Sequence, residues 1–403
     1  MNRKISLSAS LVLVLISVLL TYQIVTVANE AGYNKIISKF TLHPTDNPKL
    51  DEIKSIVDEN FVHEIDEEYL SSSLAYGYIF GLKDPHASYY TSEQYREVMS
   101  ELQGNLTGIG VRVFLHYHPE SDTEEIVIFE VMEGSPAEKA GLQKGDIIYS
   151  VDEVLFSELG YTGTVNKVLG EPGTTVTLEI LRNKRVLEFS IERKVFESQL
   201  VTYKLLDADK SIGYIRIYSF ATPTLSQFKK AVESLQAAGA QKLIFDVRNN
   251  PGGELSTITG VLDYLLPEGT IITMSDKNGE KIVYNSDDKE ILMPMAVLAN
   301  SSTASAAELF TAALLDYDKA FFVGTKTYGK GTVQTTFPLS DGSAIKISTQ
   351  HYLPPSEISF DSKGIEPTYE VVLTEKEVAD FYILSESDDR QLQKAVECLN
   401  KVN

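Results

Sequence analysis

Along residues 33–103 apolar positions recur at three- and four-residue spacing, as in LDEIKSIVDENFV (50–62) and SEQYREVMSEL (92–102), which predicts a mainly helical region. Thr91-Ser92 followed by acids reads as a helix start. From 104 to 194 the pattern changes to short extended runs between glycine-marked turns. GIGVRVFL and EEIVIFEVM are strands, SPAEKAG is a short helix ended by Gly141, and KGDIIYSVDEV returns to strand. TTVTLEILRNKRVLEFSIER predicts a hairpin turning at Asn183. From 195 to 373 wholly apolar runs alternate with helical patterns: KLIFDV then LSTITGVLDYLL, MAVLAN then AAELFTAALLD, and AFFVGT before KTYGKGTVQ. Such alternation implies a largely parallel sheet with helical crossovers. Residues 374–403 form a charged, helical tail. The fold class is therefore multidomain α/β, with a strand-rich domain of about 90 residues set before a larger α/β core.

The N-terminus adds a further element. Behind Arg3 and Lys4, the run from Ile5 to Ala28 carries no charge and exceeds the roughly 20 residues that span a bilayer as a helix. No good cleavage site follows, so the run reads as an uncleaved transmembrane anchor: residues 1–4 stay cytoplasmic and the remainder faces outward. The expected location is a bacterial cell membrane, single-pass, with the folded part extracytoplasmic.

Composition narrows the chemistry. A net charge of -21 argues against nucleic acid as a partner. The single cysteine, Cys398, rules out an internal disulfide framework and a cysteine-based zinc site, and a buried packing role is expected for it. His116 and His118 share a strand face, but no third ligand is near in sequence, so no metal and no cofactor are expected. No G-x-x-x-x-G-K-[ST] run is present, which argues against ATP-driven chemistry.

In parallel units the loops after successive strands gather at one sheet edge, where α/β proteins place their sites. Three loops qualify: 249–254, 301–305 and 326–334. The second ends on Ser305 at a helix start. The third offers Lys330 between Gly329 and Gly331. A lysine in a partly dry site holds its proton less tightly and can serve a serine as general base. Backbone N–H groups of Gly252, Gly253 and Ala306 are candidates for an oxyanion hole. Gln334, four residues after Lys330, is placed to orient the amine. Each signal has a plainer reading: Ser305-x-x-Glu308 is also a capping box, and both glycine loops are also ordinary turns. Asp246 and Arg248 read as braces of the glycine loop. The three loops in order, each after a predicted parallel strand, favour catalysis.

Two resemblances follow from these residues. Gly108-Ile109-Gly110-Val111, Gly134-Ser135-Pro136-Ala137 and Ala140-Gly141-Leu142 through Gly145-Asp146-Ile147-Ile148 resemble a PDZ domain. With DVRNNPGGEL, NSSTASAAELFTAAL and GTKTYGKGTVQ downstream, the chain resembles the carboxyl-terminal processing peptidases over about residues 50–375. The resemblance implies a ClpP/crotonase-like protease core, with Ser305 as nucleophile, Lys330 as base and Gln334 assisting. It also implies protein or peptide substrates with free C-termini, met in the PDZ domain by the Gly108–Val111 loop, and it leaves an oligomer or adaptor open. An inactive PDZ adaptor or a ligand-binding relative of the fold would need neither Ser305 nor Lys330.

Overall fold

The computed structural model describes residues 47–118 and 120–402. The candidate anchor at 5–28 lies outside them, and no helix among the described residues is long and apolar enough to cross a membrane. The described residues divide into two compact units, before and after the boundary at residues 71 and 72. In the first, α1 (Pro48–Asn60) has a proline in its first turn, where a missing N–H costs nothing, and buries none of its side chains. Helix α2 spans Glu67–Phe80. The expected helical region 33–103 is not wholly helical, because β1 (Ser88–Tyr90) lies within it. Its partner is more than 250 residues away, so no local periodicity signals it. Helix α3 (Ser92–Leu102) starts where predicted: the Thr91 hydroxyl accepts from Gln94 N–H at 3.3 Å and the Gln94 side chain accepts from Thr91 N–H at 3.1 Å.

The strand-rich domain comprises β2 (Asn105–Gly108), β3 (Val111–His118), β4 (Thr123–Val131), α4 (Pro136–Ala140), β5 (Ile147–Val151), β6 (Val154–Leu155), α5 (Phe156–Val168), β7 (Thr175–Arg182), β8 (Arg185–Glu192) and β9 (Lys194–Glu197). Its main sheet runs β3-β4-β5-β7-β8, which leaves β3 as an edge strand, while β2 and β9 pair separately. The predicted hairpin turns at Asn183 and Lys184, both with positive φ, as a tight two-residue turn requires. Alternate residues of these strands (Ile126, Ile128, Ile148, Leu178, Ile180) enter one core with Ile109 and Leu142.

The larger core follows through β10 (Val201–Leu205), β11 (Ile212–Ile217), α6 (Thr224–Ala237), β12 (Lys242–Asp246), α7 (Leu255–Leu265), β13 (Gly269–Asp276), β14 (Lys281–Ser286), β15 (Met295–Ala299), α8 (Ala306–Asp316), β16 (Ala320–Gly324), β17 (Thr332–Pro338), β18 (Ala344–Leu353), β19 (Tyr369–Glu370), α9 (Glu375–Ala379) and α10 (Arg390–Leu399). The central sheet has the order β10-β11-β12-β15-β16-β19, parallel from β11 onward. A second, antiparallel sheet joins β1, β18, β13 and β14, with β17 on β18.

Both faces of the central sheet are covered, which is why its strands read as unbroken apolar runs. In β15 the residues Met295, Val297 and Ala299 face α6, α7 and α8 with Phe228, Leu262 and Phe310. Ala296 and Leu298 face the opposite way, against Leu392, Ala395 and Leu399 of α10. The tail predicted at 374–403 is thus an integral layer of the core. Cys398 is buried in it, as expected.

Candidate active site

The serine sits in a strained turn. Ser305 has φ 56° and ψ -120°, just before the first residue of α8. A side chain held in such a backbone costs about 1–3 kcal/mol and needs firm support from its surroundings. Thr303 Oγ1 donates to the Val247 carbonyl at 2.8 Å, Ala304 N–H reaches the Asn250 carbonyl at 3.0 Å, and Ser305 N–H reaches Glu308 Oε2 at 2.9 Å. Ser305 and Glu308 are paired as in a capping box, through Ser305 N–H on Glu308 Oε2, and Glu308 N–H donates to the Ser305 carbonyl at 2.8 Å.

Glu308 does more than accept the serine's N–H. It is fully buried, and its other oxygen, Oε1, accepts from Thr327 Oγ1 at 2.6 Å and Gly329 N–H at 2.7 Å. Oε2 also accepts from Lys330 N–H at 2.8 Å. One carboxylate therefore clips the serine turn to the lysine loop. The residue was visible in the sequence only as the fourth position of a capping box, and its contacts with 327–330 arise from the parallel packing of β15 and β16.

The lysine loop is pinned on both sides. The Lys330 carbonyl accepts from Tyr352 Oη at 2.7 Å, and Gly331 N–H donates to Asp361 Oδ1 at 2.8 Å. Gly329 has φ 95°, and a Cβ there would lie 2.8 Å from Gly364 N, so no other residue fits. Partial burial lowers the proton affinity of Lys330 below the ordinary lysine value, and the charge of Lys346 lowers it further, against weaker upward pulls from Asp84 and Glu308. The Tyr352 phenol lies beside the Ser305 side chain and, being buried, stays protonated. Ser305 Oγ and Lys330 Nζ are not hydrogen-bonded to each other. Tyr352, Asp84 and Lys346 escaped the sequence reading because they come from other elements and carry no motif.

Gln334 is placed differently from expectation. Strand β17 begins at Thr332, so Lys330 lies before the regular alternation, and the register shifts between Val333 and Gln334. The Gln334 amide donates to Thr332 O (3.1 Å), Thr332 Oγ1 (3.0 Å) and Ser348 Oγ (3.2 Å), not to Lys330.

The glycine loop packs directly on the serine turn. Gly252 has φ 102°, and a Cβ there would come within 2.9 Å of Ala304 O, Ala306 N and Ser305 Cβ. Its N–H is already taken by Asn250 Oδ1 at 2.8 Å, which removes it from the candidate oxyanion donors. The N–H groups of Gly253 and Ala306 have no partner among the described residues. Asp246 and Arg248 brace this loop from behind. Burial pushes the Asp246 carboxyl upward, but Arg248 and Arg216 outweigh it and hold it at about 2. Arg248 Nη2 bonds Asp246 Oδ2 at 2.6 Å and Asp389 Oδ2 at 2.8 Å, tying the loop to the segment that leads into α10.

In the strand-rich domain, Gly110 has φ 84°, and a Cβ there would lie 2.3 Å from Ser135 Cβ. The N–H groups of Ile109 and Gly110 have no partner among the described residues. Beside them, between β3 and α5, a cavity of about 110 Å³ is lined by Gly108, Ile109, Val111, Val113, Val165 and Leu169 among others. The Tyr161 hydroxyl of α5 donates to the Val113 carbonyl of β3 at 3.4 Å.

Comparison with known proteins agrees with this architecture. Residues 107–192 match the PDZ domain and residues 211–371 match peptidase family S41. A CtpA-like serine protease of Staphylococcus aureus (strain COL) is 32% identical over 361 residues, covering 88% of this chain and 71% of the relative. Its counterpart in Staphylococcus epidermidis is 29% identical, covering 88% of this chain and 72% of its own. The fold of an S41 protease from Bacteroides fragilis superposes with a TM-score of 0.60 at 19% identity, covering 85% of this chain and 92% of that one. With a serine turn, a lysine loop and a glycine loop gathered at one edge of the parallel sheet behind a PDZ domain, the chain belongs to peptidase family S41, as a CtpA-like serine-type peptidase.

Proposed function

We propose that this peptidase cleaves proteins near their C-termini by a Ser305–Lys330 dyad, from a membrane-anchored, extracytoplasmic position. The observation that carries the reading is the shared clip: the backbone N–H groups of Ser305 and Lys330 both bind Glu308 Oε2. It holds the two candidate reactive residues in fixed register beside two free backbone donors. In this mechanism Ser305 Oγ attacks the peptide carbonyl while Lys330 Nζ, in the neutral form that its depressed proton affinity favours, takes the hydroxyl proton. The oxyanion forms against the N–H groups of Gly253 and Ala306. Lys330 passes the proton to the leaving amine as the acyl-enzyme forms, then takes a proton from the attacking water and returns it to Ser305 Oγ as the ester breaks. The dyad closes on substrate binding, since catalytic hydrogen bonds are often long in the free enzyme. Gln334 supports the site indirectly, by fixing Thr332 and Ser348.

Substrate choice is assigned to the PDZ domain: an extended peptide adds to the edge strand β3, and its carboxylate meets the N–H groups of Ile109 and Gly110. The peptide displaces the Tyr161 contact and seats an apolar last residue in the adjoining cavity. Anchoring and location rest on the uncharged run from Ile5 to Ala28 behind Arg3 and Lys4. The test of the dyad is a mutant cycle on a peptide with a free apolar C-terminus. Ser305→Ala and Lys330→Ala each abolish cleavage and the double variant is no worse, because the two act as one unit. Lys330→Arg is also inactive, since guanidinium keeps its proton. Full cleavage by Lys330→Arg refutes the dyad.

A further inference from the structure

We propose that His116, His118 and Glu125 form a binding site for a divalent metal of the zinc class, on the seam between the PDZ sheet and the chain leading to α10. On sequence alone the histidine pair lacks a third donor. The fold supplies one, because His116 pairs directly with Glu125 across β3 and β4. Residues i and i+2 of a strand share a face, and directly paired residues share it too, so all three side chains project together. One ring nitrogen of each histidine and one Glu125 oxygen lie within 4.8 Å of one another. The two rings meet edge to face at 4.2 Å.

The spacing suits a tetrahedral ion. Bonds of roughly 2.0–2.2 Å at tetrahedral angles place donor pairs about 3.3–3.6 Å apart. His118 Nε2 and Glu125 Oε2 stand at 3.1 Å, so a small opening of one pair admits the metal. Two imidazoles and one carboxylate favour zinc, cobalt or nickel over magnesium or calcium, which prefer all-oxygen sites. Asp380 Oδ1 lies 2.8 Å from His116 Nε2 and fixes that ring as an orienting acceptor. The chain's net charge of -21 raises the local concentration of cations.

The position gives the site a consequence. Asp380 is the C-cap of α9, and two residues later Tyr382 stacks on Phe129 at 4.2 Å and contacts Phe114 at 5.3 Å. The Tyr382 hydroxyl accepts from Asn249 Nδ2 at 3.2 Å, at the start of the glycine loop. A bound ion therefore fastens the PDZ sheet to a segment that touches the catalytic loop.

The test uses the full-length untagged chain, stripped with chelator and titrated with Zn²⁺ by calorimetry, and with Co²⁺ for its visible absorption. The expected result is one ion per chain and a tetrahedral Co²⁺ spectrum. Glu125→Gln and His118→Ala weaken binding at least tenfold, and Asp380→Asn weakens it by roughly 10- to 100-fold. Glu125→Gln is nearly isosteric, so circular dichroism and peptidase activity establish that it is folded. Absence of saturable binding by the wild type, or unchanged binding by a folded His118→Ala/Glu125→Gln double variant, overturns the proposal and leaves a hydrogen-bonded histidine–carboxylate cluster.

Discussion

Replacing Glu308 by glutamine isolates the clip between the serine turn and the lysine loop. The carboxylate accepts four hydrogen bonds, two at each oxygen. An amide keeps one oxygen and presents a donor where the other stood. If the NH₂ group turns toward Ser305 and Lys330, it faces two N–H groups, and two bonds to a charged acceptor are lost, about 3–6 kcal/mol. Turned the other way it faces Gly329 N–H and Thr327 Oγ1, and a hydroxyl can rotate to accept. Only the Gly329 bond is then lost, about 1.5–3 kcal/mol, so the variant settles in this orientation. Glu308→Gln is therefore expected to fold with stability lowered by that amount. The loosened Gly329–Lys330 loop displaces the amine, and a shift on the order of 1 Å costs about 10²-fold in rate. Denaturant unfolding measures the first effect; kcat and KM on a free-C-terminus peptide measure the second, with kcat carrying the loss. Wild-type kcat in a measurably destabilised Glu308→Gln protein would show that the clip supports folding without placing the dyad.

Other expectations are as direct. Activity rises with pH as Lys330 loses its proton, at a pH below the ordinary lysine value because burial, then Lys346, disfavour the ammonium. Lys346→Gln removes a repelling charge, so Lys330 holds its proton more tightly and the acid limb of kcat/KM moves to higher pH. Asp84→Asn removes an attracting charge and moves the limb to lower pH; movement in the same direction for both contradicts this account. Gly252→Ala forces a methyl to within 2.9 Å of the Ser305 turn at a positive φ, and kcat is expected to fall about 10²-fold. Near-normal kinetics would mean that the glycine loop is not part of the site. Leu399→Ala opens a cavity under the central sheet and costs about 2–5 kcal/mol in thermal or denaturant unfolding, with the kinetics unchanged while the protein is folded.

Much of this was legible in the chain. Turn chemistry announces itself locally: Asn183 at the hairpin, Thr91 at the helix start and Gly141 after its short helix all stand where the sequence placed them. Strands buried on both faces, such as Met295–Ala299, show as unbroken apolar runs. Strand β1 did not show, because three residues completed by a distant partner carry no period. The 374–403 segment read as a charged helical tail because α10 buries one face only, keeping Gln393 and Glu397 outside while Leu392, Ala395 and Leu399 go in.

For the site the division is similar. Sequence order and the parallel alternation determined that Gly252-Gly253, Ser305 and Lys330 share one sheet edge, because βα units deliver their loops there. Only the tertiary structure decided which groups are available. It consumed the Gly252 N–H on Asn250, turned the Gln334 amide toward Ser348 and left Gly253 and Ala306 without partners among the described residues. It also made Glu308 the joint between two loops and brought Glu125 to a histidine pair. Hydrogen-bond partners and charge neighbours depend on distances between elements far apart in sequence, and packing alone sets those distances.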